Sequence, residues 1–141
     1  MTAMREIEFR GLVADEPYTW VHGYLMPDNR IYQNYEPKHG CCGKGVFSVI
    51  PESVGQYTGR RDKNNVKIFE NDLVKDFNRG RLYKVIYLDG SFNLYDEEEK
   101  QLGPELFFYD SKELEVIGNS FILEGKKNEL ETIFGILRCI L

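Results

Sequence analysis

The stretch Val54-Gly55-Gln56-Tyr57-Thr58-Gly59-Arg60-Arg61-Asp62-Lys63-Asn64-Asn65-Val66-Lys67-Ile68-Phe69-Glu70-Asn71-Asp72-Leu73-Val74-Lys75 decides the fold. Turn residues punctuate it at Gly59, at Asp62 to Asn65 and at Glu70 to Asp72. Only short apolar segments such as Val66-Lys67-Ile68-Phe69 and Leu73-Val74-Lys75 lie between those breaks. No helix of useful length fits there, so the spacing predicts short strands folded tightly on one another.

Downstream, Arg81 to Leu88 and Ser91 to Tyr95 are two apolar-aromatic runs separated by Asp89-Gly90. An Asp-Gly pair in that position predicts a hairpin closed by a two-residue type I′ turn, in which both residues need positive φ. The acids Asp96 to Glu99 then form a solvated loop or turn, and Gly80 marks the break before the hairpin. Leu106 to Tyr109 and Leu114 to Asn119 are the last expected strands, with Phe121-Ile122-Leu123 following.

Upstream, Arg5 to Arg10 alternates charged and apolar residues, placing Ile7 and Phe9 on one strand face. Tyr18 to Leu25 is rich in aromatic and β-branched residues and predicts a second strand. Gly23 inside it predicts a bulge or a close backbone approach. Pro27 to Arg30 is a turn, Ile31 to Tyr35 a third strand, and Val46 to Ile50 a fourth. The Pro-, Gly- and Cys-rich segment 36–45 between them is expected to be a loop.

The C-terminal segment changes period. Leu130, Ile133, Phe134, Leu137, Ile140 and Leu141 recur at spacings of three and four, a helical stripe. Asn128 is placed to cap its start. So apolar a stripe needs cover, from the chain's own sheet or from another subunit, which makes Leu130, Ile133, Phe134 and Leu137 candidates for self-association. The expected organisation is a β domain over 1–125, with N-terminal strands 1–53 and a barrel-like core 54–125, followed by a helical tail over 126–141.

Composition bounds the function. With 141 residues, 42% of them apolar, the chain can bury a core as one domain. A net charge of −5 and a pI near 5.1 disfavour general nucleic-acid binding, whose affinity comes mostly from neutralised phosphates. The charge is nevertheless uneven. Residues 60–84 hold eight Lys/Arg against four acids, whereas 96–115 hold eight acids against two lysines. Such asymmetry can pair regions within a molecule, pair subunits, or offer a basic face to an anion. Arg60, Arg61, Lys63, Arg79, Arg81 and Lys84, interleaved with Tyr57, Tyr83 and Tyr87, are the candidates for a nucleic-acid surface. The competing expectation is that the tyrosines line the core and the basic residues stay solvated.

Signals for chemistry are weak. His39-Gly40-Cys41-Cys42-Gly43 offers metal ligands but lacks a second pair to complete a tetrahedral site, so no metal is expected. Gly40 to Gly45 is not a phosphate loop, because Lys38 stands where the first glycine belongs and Gly45 where Ser or Thr should bind magnesium. Glu70 and Asp72, two apart at a turn, fit turn hydrogen bonds better than acid-base work. His22 sits in an aromatic strand. No catalytic residue and no cofactor is expected. Three cysteines, two of them adjacent, fit a reducing cytoplasm better than a disulfide framework. The N-terminus enters a charged strand without the pattern of a secretory signal, and no apolar run is long enough to span a membrane.

Several segments together resemble the YopX family of phage and prophage proteins. They are Ile7-Glu8-Phe9-Arg10-Gly11, Trp20 to Leu25, Val49 to Gly59, Asp62-Lys63-Asn64, Ile68 to Val74, Asp89-Gly90 and Glu115 to Asn119. The family commonly carries Asn-Gly where this chain has Asn64-Asn65, and Glu-Gly-Asp where it has Glu70-Asn71-Asp72. Asparagine is the non-glycine residue that most readily enters the left-handed region, so both departures point to a turn requirement. The resemblance implies a mainly β protein built on an SH3-like barrel with added strands, without an assigned activity. From the whole sequence we expect a cytoplasmic, non-enzymatic interaction or adaptor module that forms a homo-oligomer and engages a phage or host protein. The alternative is nucleic-acid binding along residues 60–84.

Overall fold

The computed structural model describes residues 5–14, 19–34 and 43–121. The chain divides into two compact units, residues 1–59 and 60–141. The described residues are mainly β. Eleven strands are present among them: β1 (Phe9–Leu12), β2 (Trp20–Met26), β3 (Arg30–Gln33), β4 (Gly45–Ser48), β5 (Gly55–Arg61), β6 (Lys67–Phe69), β7 (Asp72–Asp76), β8 (Arg81–Leu88), β9 (Ser91–Asp96), β10 (Gln101–Glu105) and β11 (Leu114–Asn119). Single 3₁₀ turns cover Pro51–Ser53, Leu106–Phe108 and Ser111–Glu113.

In the first unit the order is β4-β3-β2-β1-β5, antiparallel where the register is defined. Strand β5 runs on across the division, where β6 is its neighbour. Val21, Ile31 and Val49 form the small core, with Phe9, Val13, Phe47 and Val54 packed against it. Gly23 is required by close approach. A Cβ there would lie 2.0 Å from the Tyr32 carbonyl oxygen, so only glycine lets β3 pair so tightly.

In the second unit the sheet runs β10-β9-β8-β7-β11, all antiparallel. Its core is Ile68, Val74, Tyr83, Val85, Leu94, Leu106, Tyr109 and Leu114. The β8–β9 hairpin forms as its sequence requires, with Asp89 at φ 51° and Gly90 at φ 82°. Asn65 and Asn71 take left-handed φ of 64° and 74°, so asparagine does serve where glycine is common.

Four expectations need correction. Gly59 does not break the chain; at φ 87° it sits inside β5, which continues to Arg61. Leu106 to Phe108 is a 3₁₀ turn instead of a strand, and only Leu106 points into the core. Strand β10 was not legible, because Gly103 and Pro104 disguise it. Proline is tolerated there because β10 is an edge, where a register shift between Leu102 and Glu105 also bends the ladder.

The fourth correction concerns closure. The sheets are open, with β10 and β11 at opposite ends of the second, so an SH3-like barrel is not formed as expected. The edges are managed by proline and a bulge at β10, not by joining. The helical tail expected over 126–141, including Leu130, Ile133, Phe134 and Leu137, lies outside the described residues.

Candidate interaction surface

Buried aspartates organise the second unit. Asp62 accepts from the backbone N–H groups of Asn64 (2.8 Å) and Val66 (2.9 Å) through one oxygen, and of Val116 (2.9 Å) through the other. Asp76 closes the turn after β7 by accepting from the N–H groups of Asn78 and Arg79. Asp96 does the same after β9 with Glu98 and Glu99. Asp72 accepts from the Phe69 N–H at 2.7 Å. Each carboxylate thus ends or joins strands through backbone hydrogen bonds, local in sequence except for the one from Val116 to Asp62. Of the two acids weighed together in the sequence, Asp72 locks the turn between β6 and β7 through its bond from the Phe69 N–H, and Glu70 also has a partner.

Tyr109 reaches the same Asp76. Its hydroxyl donates to Asp76 Oδ2, and Arg79 Nη1 donates to the Tyr109 oxygen at 2.9 Å. Burial pushes the Asp76 carboxyl up, but the Tyr109 hydroxyl, the two backbone N–H groups and the Arg79 charge outweigh it and hold it below its ordinary value. Burial, and then the bond to ionised Asp76, push the Tyr109 hydroxyl far up.

The six basic candidates are all engaged. Arg60 donates to the Phe107 carbonyl and lies 5.6 Å from that ring's centre. Arg61 donates to the Asn65 carbonyl. Lys63 pairs with Glu115 at 3.5 Å and lies over Phe77. Arg79 pairs with Glu113 as well as Asp76. Arg81 pairs with Asp96 and, at 2.6 Å, with Glu99. Lys84 on β8 also has a partner. The basic stretch 60–84 and the acidic stretch 96–115 therefore meet within one unit, as the charge asymmetry allowed. The pairs exposed on both sides, Lys63–Glu115, Arg79–Glu113 and Arg81–Glu99, contribute about 0–1 kcal/mol each.

Two residues escaped the sequence reading. Phe107 and Phe108 are 72% and 76% exposed, on the 3₁₀ turn between β10 and β11. Their rings pack edge to face at 5.2 Å. The flanking Leu106 and Tyr109 are buried, so the turn is anchored on both sides while its middle projects. The run Leu-Phe-Phe-Tyr carries no period-two alternation, and a short continuous apolar run fits a buried strand as well as a turn, so the sequence offered no signal to separate them. Lone exposed apolar residues need no explanation, but adjacent, mutually packed phenylalanines on an anchored turn are the kind of projection that marks an interaction site.

Among the described residues, no three His, Cys, Asp or Glu side chains gather as a metal site. His22 is bonded to Glu8 at 3.1 Å. His39, Cys41, Cys42 and Cys139 lie outside the described residues. No helix among the described residues is long and apolar enough to cross a membrane.

These features define a two-unit, mainly β protein whose buried aspartates serve the fold and which presents a projecting aromatic pair at its surface. The model of the YopX protein family matches residues 8–122, and the chain belongs to that family. Comparison with curated proteins returns no match.

Proposed function

We propose that this protein is a non-enzymatic interaction module, and that a protein partner docks on the projecting Phe107–Phe108 turn. The single observation behind this reading is that exposed pair, held by the buried Leu106 and Tyr109, with Arg60 over the Phe107 ring. Aromatic residues with an adjacent arginine are the side chains that dominate binding energy at protein interfaces. A cytoplasmic role in a phage-carrying bacterium belongs to the same proposal and is supported by the family resemblance alone.

Capture from lysogenic or infected cells, with wild-type protein and a Phe107→Ser/Phe108→Ser variant as parallel baits, tests it. A protein retained by the wild type and by a Tyr87→Ser control, but lost with the double variant, is the expected result. Identical captures from all three would refute it. Self-association is the second part of the proposal and is supported by the apolar stripe Leu130, Ile133, Phe134 and Leu137 in the sequence. Light scattering should give a particle of more than one chain that shrinks when residues 128–141 are deleted.

Nucleic-acid binding along residues 60–84 stands second. Its phosphate ligands would have to leave Glu99, Glu113, Glu115 or a backbone carbonyl that already holds them.

A further inference from the structure

The outward face of β2, β3 and β4, in the first unit, takes no part in the site above. Tyr24, Tyr32 and Val46 stand in register across these three strands and are 58%, 37% and 48% exposed. The two tyrosine rings lie 6.3 Å apart, inclined by 33°. Strand alternation puts Trp20 on the same face of β2, with the Arg10 guanidinium 4.7 Å from its ring centre. Arg30, opposite Met26, shares the face on β3, and Lys44 is exposed two residues ahead of Val46. The opposite face of these strands holds Val21, Ile31 and Phe47, so the sheet's core requirement is already met.

The solvent side of an antiparallel sheet ordinarily carries polar residues. Here it carries rings flanked by cations. Glu8, just ahead of β1, is bonded to His22, Glu6 lies further ahead, and Asp28 stands in the β2–β3 turn near Arg30, whose Nε donates to the Pro27 carbonyl. Flat π-surfaces on neighbouring strands with positive charge beside them complement a flexible polyanion that carries flat aromatic groups.

We propose that this face binds single-stranded nucleic acid, with bases stacked on Tyr24 and Tyr32 and phosphates met by Arg30 and Lys44. The site is independent of the Phe107–Phe108 turn and goes beyond the interaction reading. Because the whole chain is acidic, affinity must lean on stacking and fall steeply with salt.

Fluorescence anisotropy of a labelled oligothymidylate of about 12 nucleotides, titrated with the full chain at about 50 mM salt, tests it. Saturable binding is expected, weakened at least about fivefold for each ring removed in Tyr24→Ala and Tyr32→Ala. The Tyr24→Phe/Tyr32→Phe variant should bind like the wild type, because the stacking faces remain and the Tyr32 hydroxyl's bond to Asn34, which it removes, is exposed. Arg30→Ala and Lys44→Ala should each lower the salt slope by about 1, whereas Phe107→Ser/Phe108→Ser should leave binding unchanged. Three results would each overturn the proposal: no binding at low salt, equal binding by the alanine variants, or a Tyr24→Ala/Tyr32→Ala change that alters particle mass and not oligonucleotide affinity, which would assign the face to a second copy of the chain.

Discussion

Tyr109, in the segment that leads to β11, donates its hydroxyl hydrogen to Asp76 at the end of β7, and both residues are buried. The pair holds together two places 33 residues apart in sequence. It also fixes the C-terminal side of the turn that projects Phe107 and Phe108.

Removing that hydroxyl leaves a buried carboxylate short of a donor. Tyr109→Phe should cost about 1.5–3 kcal/mol, the range for hydrogen bonds to charged groups. Urea unfolding followed by fluorescence checks it through a lower midpoint at unchanged slope.

The same pair predicts opposite pH limits. Asp76 is held below its ordinary 3.8, so its stabilisation is present above that pH and is lost as pH falls through the lower folded value. Tyr109 is pushed above its ordinary 10.0, so its contribution is full below that pH and is lost as pH rises further. Thermal midpoints measured from acid to alkaline pH should fall at both ends. Asp76→Asn should flatten the acid limb, and Tyr109→Phe the alkaline one.

Adjacent residues on the 3₁₀ turn should behave differently. Leu106→Ala empties part of the core and should cost about 2–5 kcal/mol. Phe107→Ser/Phe108→Ser should change stability by no more than about 0.5 kcal/mol, as surface substitutions usually do. A large loss of stability in the double variant would mean the rings serve the fold.

Asn71 should be replaceable by glycine but not by a β-branched residue. Its φ of 74° is left-handed, its N–H donates to Val85 and its carbonyl accepts from Ser120. Asn71→Gly should stay within about 1 kcal/mol of the wild type. Asn71→Val should lose more than the roughly 1–2 kcal/mol penalty for ordinary side chains in that region. Denaturant midpoints separate the two.

Gly23→Ala should be among the most damaging small substitutions in the first unit. The new methyl would meet the Tyr32 carbonyl oxygen at 2.0 Å, and backbone on a paired strand cannot yield as a side chain can. A loss of about 1–3 kcal/mol is expected, with faster amide exchange across β2 and β3.

Local chemistry made much of this fold legible. Asp89-Gly90 dictated its hairpin, Asn65 and Asn71 their left-handed turns, and Leu114 to Asn119 its strand. Strand β10 was hidden because proline is allowed only where a ladder has no further neighbour, and sequence does not say which strand is an edge. The Phe107–Phe108 projection was missed for a related reason. Four consecutive apolar residues fit a buried strand as well as an anchored turn with an exposed middle.

The sequence by itself determined what depends on neighbours along the chain: the β class, the reversals and the opposed charge of two segments. The tertiary structure alone decided which acid meets which base, that the sheets stay open, and which aromatic rings face water. Those outcomes depend on contacts between residues far apart in sequence, and such contacts exist only once strand order and register are set.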